Sequence, residues 1–336
     1  MRLICRLFLL LGVASTLLFT NFSCTSDHAL AYTEPPPPLG PWAADSSYWA
    51  WDETEPVLLL GAGVDPLFRS NYISIFKELK KAGGDYVECT LRPDPFGNRQ
   101  PFPYDSIRGE YDLTRIDSSY WLHVLSIFDA AAKERVVIDY KGLYGQFFPD
   151  YSQPDSMAFR TAFARQSFDL LRRQPHVLRT EPHAIVSNQL LVAQPSDWFA
   201  RRLLTGANAV DFPHPSGQPI DFSRGLSAIR AARRVESLIK FWDLQPAPEI
   251  LLDGNAPTTT AAKDSLGNYV VHLATPTRVR IRLNTQDQVP IRFTVIGYLG
   301  TQRSEVLQPP YGSVFELSTE DERGAWLVMR RLPKGS

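Results

Sequence analysis

The chain is short of cysteine and histidine and carries no excess charge of either sign, and each shortage removes a class of function. Cysteine occurs three times in 336 residues, at Cys5, Cys24 and Cys89. Two of these fall in an N-terminal leader, so the body keeps Cys89 and makes neither an internal disulfide nor a cysteine-based metal site. The six histidines include no HxH or HExxH spacing, which removes the usual zinc arrangements, and neither a metal nor a cofactor is expected. Lys and Arg number 35 against 36 Asp and Glu, so no basic field exists for a phosphate backbone and nucleic acid is not an expected partner. Gly61-Ala62-Gly63 lacks the third glycine of a dinucleotide fingerprint, and no GxSxG nucleophile turn occurs. No internal repeat or heptad pattern is visible.

Long apolar runs are also scarce. Leu7 to Phe19 is one, too short for a membrane span but suited to the core of a signal peptide, with Arg2 and Arg6 before it. Ser23-Cys24 at its end resembles a bacterial lipoprotein signal, although Asn21 and Phe22 are unusual there. Residues 1–24 are therefore expected as a leader with Cys24 as the lipidation site; ordinary secretion or a retained anchor is the alternative. The expected location is the cell envelope, with the membrane a partner through that anchor. Residues 25–50 read as a tether, because Pro35-Pro36-Pro37-Pro38 favours an extended chain. Trp42, Tyr48, Trp49 and Trp51 follow, and the spacing places them under the floor of a barrel or on a second domain.

The stretch 56–91 reads strand, loop, helix, strand. Val57 to Leu60 is a short apolar run closed by glycines, a helix over 71–82 is capped by Ser70 and stopped by Gly83-Gly84, and Tyr86 to Leu91 alternates. This pattern makes a parallel pair with a right-handed crossover, whose chemistry lies beyond the carboxyl ends of the strands. Residues 92–111 read as a long irregular loop on that side. Further units follow. A helix capped by Asp117 or Ser118 leads to strand 136–140, helix 156–174 leads to a strand near 176–181, and a short helix from Ser196 leads to strand 207–212. Helix 223–242 closes the series. From about 246 helical periodicity gives way to short strands at 269–273, 277–283, 291–298, 313–317 and 325–329. Val279, Ile281 and Leu283 alternate with Arg278, Arg280 and Arg282, giving one buried and one wet face. The expected fold class is α/β: a shortened or incomplete (β/α) TIM-type barrel over 51–245, followed by an antiparallel β-sandwich over 246–336.

Four carboxylates reach strand carboxyl ends: Glu88, Asp139, Glu181 and Asp211. Glu88, in mid-strand, needs a partner, and Arg92 or Lys141 supplies one if it is only a structural ion pair. Asp139 is expected to line a pocket. Asp211 and His214 form a polar pair on the last loop or merely cap it. Asp65 faces the same pocket or caps the following helix, and Tyr144 lies in the aromatic loop after Asp139.

The order of these stretches resembles bacterial secreted glycoside-hydrolase-like proteins with a TIM-type barrel and a small C-terminal β-sandwich. The resemblance rests on PVLLLGAGVDPLF at 56–68, LKKAGGDYVECTL at 79–91, the segment 109–140 and the segment 198–242 with its strand-rich tail. It implies a polysaccharide or oligosaccharide partner and a catalytic acid after the fourth strand, which falls on Glu181 in Thr180-Glu181-Pro182. Glu181, Asp139 and Glu88 are then the catalytic candidates, and Asp65, Tyr144, Asp211 and His214 the substrate-binding ones. No glutamate matches the second acid expected after a seventh strand, and about five βα units are present where eight need roughly 250 residues. Two readings stand: a non-catalytic carbohydrate-binding or structural relative, which the missing units favour, and an active hydrolase with a carboxylate pair.

Overall fold

The computed structural model describes residues 39–45, 48–51, 55–62, 71–89, 104–107, 110–140, 165, 177–179, 195–212, 222–252, 259–274, 277–283, 289–310, 312–319 and 323–333. The chain divides into two compact units, Met1–Pro36 and Pro37–Ser336, and every described residue belongs to the second. The expected leader, Cys24 and the proline run lie outside the described residues.

The first described elements are the paired strands β1 (Gly40–Pro41) and β2 (Trp49–Ala50). Then come β3 (Leu59–Ala62), α1 (Tyr72–Lys81) and β4 (Tyr86–Cys89). Helix α1 lies where the apolar spacing puts it, with Phe76 and Leu79 buried, although Ile73 stays exposed at the edge of the stripe. Strand β5 (Tyr104–Ile107), inside the stretch expected to be an irregular loop, pairs antiparallel with β6 (Glu110–Ile116), which begins at the end of that stretch. Helix α2 (Ser118–Lys133) starts at Asp117, whose carboxylate accepts the Ser119 and Tyr120 N–H groups at 2.7 and 3.3 Å. Strands β7 (Val137–Tyr140) and β8 (Val177–Arg179), helix α3 (Pro195–Leu204), strand β9 (Ala209–Phe212) and helix α4 (Phe222–Glu236) complete this half. The periodicity predicts a longer last helix, but the chain leaves helical geometry after Glu236. It turns through hydrogen bonds from Leu238 and Ile239 N–H to Val235 O, and Arg330 Nη1 takes the Leu238 carbonyl at 3.2 Å.

The parallel sheet has five strands in the order β8-β7-β4-β3-β9. All its pairings are parallel, and the last strand in sequence sits beside the first, the neighbour relation of a TIM-type barrel. Alternate residues face opposite ways. Leu58, Leu60, Ala62, Val87, Ile138, Val210 and Phe212 face the helices and share one large core with them. Leu59, Tyr86 and Val137 face inward over Trp49, Trp51 and Val57, so Trp49 and Trp51 pack under this face of the sheet. Gly225 marks the closest approach of α4, since a Cβ there would come within 2.8 Å of the Ala62 Cβ.

Helix α4 is bolted to the amino ends of β3 and β4 by Arg233. Its Nε donates to Gly83 O at 2.8 Å, Nη2 to Leu58 O and to Asp85 Oδ2 at 2.9 Å each, and Nη1 to Glu236 Oε2 at 2.7 Å. Asp85 Oδ1 accepts the Leu60 N–H at 2.9 Å. Burial works against both charges: at Arg233 the charges of Asp85 and Glu236 outweigh it and hold the guanidinium above its ordinary value, whereas at Asp85 burial outweighs Arg233 and raises the carboxyl.

The second half is antiparallel. Strands β10 (Gln245–Pro246), β11 (Thr259–Lys263), β12 (Tyr269–Leu273), β13 (Thr277–Arg282), β14 (Ile291–Gly297), β15 (Gln302–Leu307), β16 (Val314–Thr319) and β17 (Ala325–Arg331) follow in sequence. Six of them form one sheet, β10-β11-β12-β17-β14-β15, and β13 pairs with β16 as a separate ribbon. Val279 and Ile281 of the ribbon pack against Val271, Leu273, Phe293, Leu327 and Met329 of the sheet, as the alternation with Arg278, Arg280 and Arg282 predicts. The opposite face of the same sheet, with Val270, Ile296, Trp326 and Val328, belongs to the core of the helices.

Candidate functional site

The inward face of the parallel sheet changes character along its strands. Near the amino ends it is apolar: Leu59, Val137 and Ala209 over the tryptophan floor. One step toward the carboxyl ends the same parity brings Gly61, Glu88, Asp139 and Asp211. Glu88 and Asp139 are register neighbours on β4 and β7, and Gly61 is the register neighbour of both Asp211 and Tyr86. The inward face of the sheet thus carries one apolar layer and, beyond it, one layer of carboxylates.

Tyr86 ties the layers together. Its hydroxyl donates to Asp139 Oδ2 at 2.6 Å, the length of a charge-assisted O–H···O⁻ bond. The phenol is 4% exposed and Asp139 6%, whereas Glu88 and Asp211 are half-buried. Burial first, then the charge and hydrogen bond of Asp139, then the charges of Glu88 and Asp211, push the Tyr86 hydroxyl far above its ordinary range. Tyr86 is thus a fixed donor to Asp139. Gly61 makes this possible. A Cβ there would meet Asp211 Oδ1 and the Tyr86 carbonyl at 2.5 Å each and Tyr86 Cδ1 at 2.9 Å.

Of the residues singled out in the sequence, Glu88, Asp139 and Asp211 are thus brought onto one face. Glu181, Asp65, Tyr144 and His214 lie outside the described residues. Tyr86 was missed. The signal was its place two residues before Glu88 in an alternating strand, which puts both side chains on the same side. Among the described residues no group of three or more His, Cys, Asp or Glu side chains is placed to hold a metal ion, and no described helix is long and apolar enough to cross a membrane.

No sequence-family profile matches the chain, and no curated protein matches it. Solved structures do. A glycoside hydrolase superposes with a TM-score of 0.56 at 10% identity, over 87% of this chain and 96% of the other. A glycoside hydrolase of family 5 from Bacteroides vulgatus superposes with a TM-score of 0.54 at 9% identity, over 89% of this chain and 95% of the other. At such identities the likeness is one of fold: a barrel-like parallel core with an antiparallel sheet, as in glycoside hydrolases.

Proposed function

We propose that this chain is a carbohydrate-binding protein built on a shortened glycoside-hydrolase barrel, holding an oligosaccharide or polysaccharide at the carboxyl ends of the parallel strands. The observation that carries this reading is the shared inward face of Glu88, Asp139 and Asp211 at the strand carboxyl ends, with the Tyr86 hydroxyl held on Asp139. Ionised carboxylates are strong acceptors for sugar hydroxyls, and the Tyr86 donor keeps Asp139 in one orientation. Glu181, Asp65, Tyr144 and His214 are proposed as further contacts on the same rim, and Cys24 as a lipid attachment point that holds the body at the cell envelope.

The short separation of the last two parallel strands is what supports loss of hydrolysis. Only residues 180–208 separate β8 from β9, and α3 takes Pro195–Leu204 of them, so three further βα units do not fit between them. Strand β9, paired with β3, then takes the closing position. The neighbouring carboxylates Glu88 and Asp139 favour a second reading, an active hydrolase in which two of Glu88, Asp139 and Glu181 are proposed as acid and base across the scissile bond.

A glycan panel read for both retention and product release separates the two. Retention without release, weakened in Asp139→Asn, supports the binder. Release that Glu181→Gln or Glu88→Gln abolishes supports the hydrolase. Neither retention nor release on a broad panel removes the carbohydrate reading. Incorporation of labelled palmitate that Cys24→Ser abolishes is expected if the lipid anchor is used.

A further inference from the structure

Where the six-stranded sheet meets the helices of the parallel half, the seam contains one histidine. His272 is on β12, opposite Trp326 of β17 and Thr260 of β11. It is 0% exposed. Its parity is that of Val270, so the ring points to the helix side of the sheet, into the core shared by α3 and α4. Trp326 lies against it with ring centroids 4.6 Å apart, Tyr298 stands edge-on at 5.9 Å, and Phe241 stands edge-on to Trp326 at 5.9 Å.

The imidazole makes one hydrogen bond, between Nε2 and the Tyr298 hydroxyl at 2.9 Å. Nδ1 has no partner, and neither has Trp326 Nε1 beside it. None of the charged groups on the surrounding elements shifts the ring. On α3, Asp197 Oδ2 pairs with Arg201 at 2.8 Å while its buried Oδ1 makes no hydrogen bond, and Arg202 lies over Trp198. On α4, Arg224 reaches toward Ser196, Arg230 is exposed, Arg233 holds Asp85 and Glu236, and Arg234 donates to Gly300 O. After α4, Lys240 sits over Trp242 and Asp243 is exposed. Lys263 of β11 pairs with Glu249, and Arg330 of β17 donates to Leu238 O. Among the described residues none of these charges acts on His272. Burial alone lowers the ring, to about 3.

We propose that the seam between the six-stranded sheet and helices α3 and α4 is an acid-sensitive joint, closed while His272 is neutral and opened when it takes a proton. An imidazolium carries two N–H donors. Tyr298 satisfies one, and the second would be on the buried Nδ1, which has no hydrogen-bond partner in the closed seam. The protonated ring is therefore accommodated only where the sheet has moved off the helices and water has entered. The sign follows: a group whose pKa is lowered by folding stabilises the closed form above its open-state value near 6.5, and that stability is lost progressively as pH falls toward 3.

The test is hydrogen exchange on the full chain at pH 8 and pH 5, corrected for the intrinsic pH dependence of exchange. Protection of β12 and β17 is expected to fall about 30-fold, the ratio set by an open-state value of 6.5 and a closed-state value of about 3. Helix α2, which packs on α1 and β7, is expected to keep its protection. His272→Gln, neutral at both pH values, is expected to show no such fall. Tyr298→Phe leaves the imidazole in place and is expected to retain the fall, which gives a reading even if His272→Gln does not fold. An equal fall in His272→Gln, loss of protection in α2 of the same size, no fall in the wild type, or loss of the effect in Tyr298→Phe would each overturn the proposal.

Discussion

Replacing Arg233 with methionine keeps a long side chain on α4 and removes four hydrogen bonds at once: those to Gly83 O, Leu58 O, Asp85 and Glu236. Breaking a fully buried ion pair costs about 3–5 kcal/mol, because the remaining carboxylate loses its counter-charge. The Arg233 side chain is 24% exposed and that of Asp85 14%, so solvent recovers part of this and about 3 kcal/mol is the expected loss. With a urea m-value of about 3 kcal/mol/M for a chain of this size, the unfolding midpoint should drop by about 1 M. The pairwise part is isolated by a cycle with Asp85→Asn, which keeps the acceptor for the Leu60 N–H. A coupling of about 1–3 kcal/mol is expected for groups in direct contact. A midpoint shift below about 0.3 M, or strict additivity of the two single changes, would refute the idea that this clamp holds α4 to the sheet.

Three other outcomes follow from the same geometry. Gly61→Ala places a Cβ against the Tyr86 carbonyl and Asp211 and should cost about 1–3 kcal/mol by overpacking, with glycan retention falling further than stability because the carboxylate layer shifts; urea midpoints and retention measured together check this. Tyr86→Phe removes the donor to Asp139 and should lower stability by about 1–3 kcal/mol, with weaker retention; retention equal to wild type would take Tyr86 out of the site. Unfolding free energy should fall by about 2 kcal/mol between pH 8 and pH 5 because of His272, whose ring is lowered to about 3, and His272→Gln should show a correspondingly flatter pH profile in urea titrations.

The parts of the fold legible in the sequence are those where one face is apolar and the other is not. Helix α1, strand β4 and the ribbon strand β13 announce their buried faces through spacing alone, and the parity of β4, β7 and β9 placed Glu88, Asp139 and Asp211 on a common side. Strand β15, Gln302–Leu307, is almost wholly exposed at the sheet edge, so no alternation marks it. Strand β11, Thr259–Lys263, is short and built of small residues, and its signal is equally weak. The β5–β6 pair hides in a stretch whose prolines and glycines read as loop. Tyr86 escaped because a buried tyrosine in a strand looks like core; its role depends on Asp139, fifty-three positions away in sequence, and on the absence of a side chain at Gly61. The long last helix was overread because Leu238, Ile239 and Trp242 keep helical spacing, while Arg330 from the far end of the chain claims a carbonyl that a continuing helix would have used.

The pairing of β9 with β3 has a consequence for biosynthesis. While the polypeptide is still emerging from the ribosome, β3 meets β4 early but has nothing on its other flank until Ala209–Phe212 has been made. In that interval Leu58 to Ala62 presents an apolar strand with an open edge, the feature that invites intermolecular pairing. Translation arrested ahead of Ala209 should therefore yield chains that recruit a holdase or aggregate, and release from arrest past Phe212 should end that dependence.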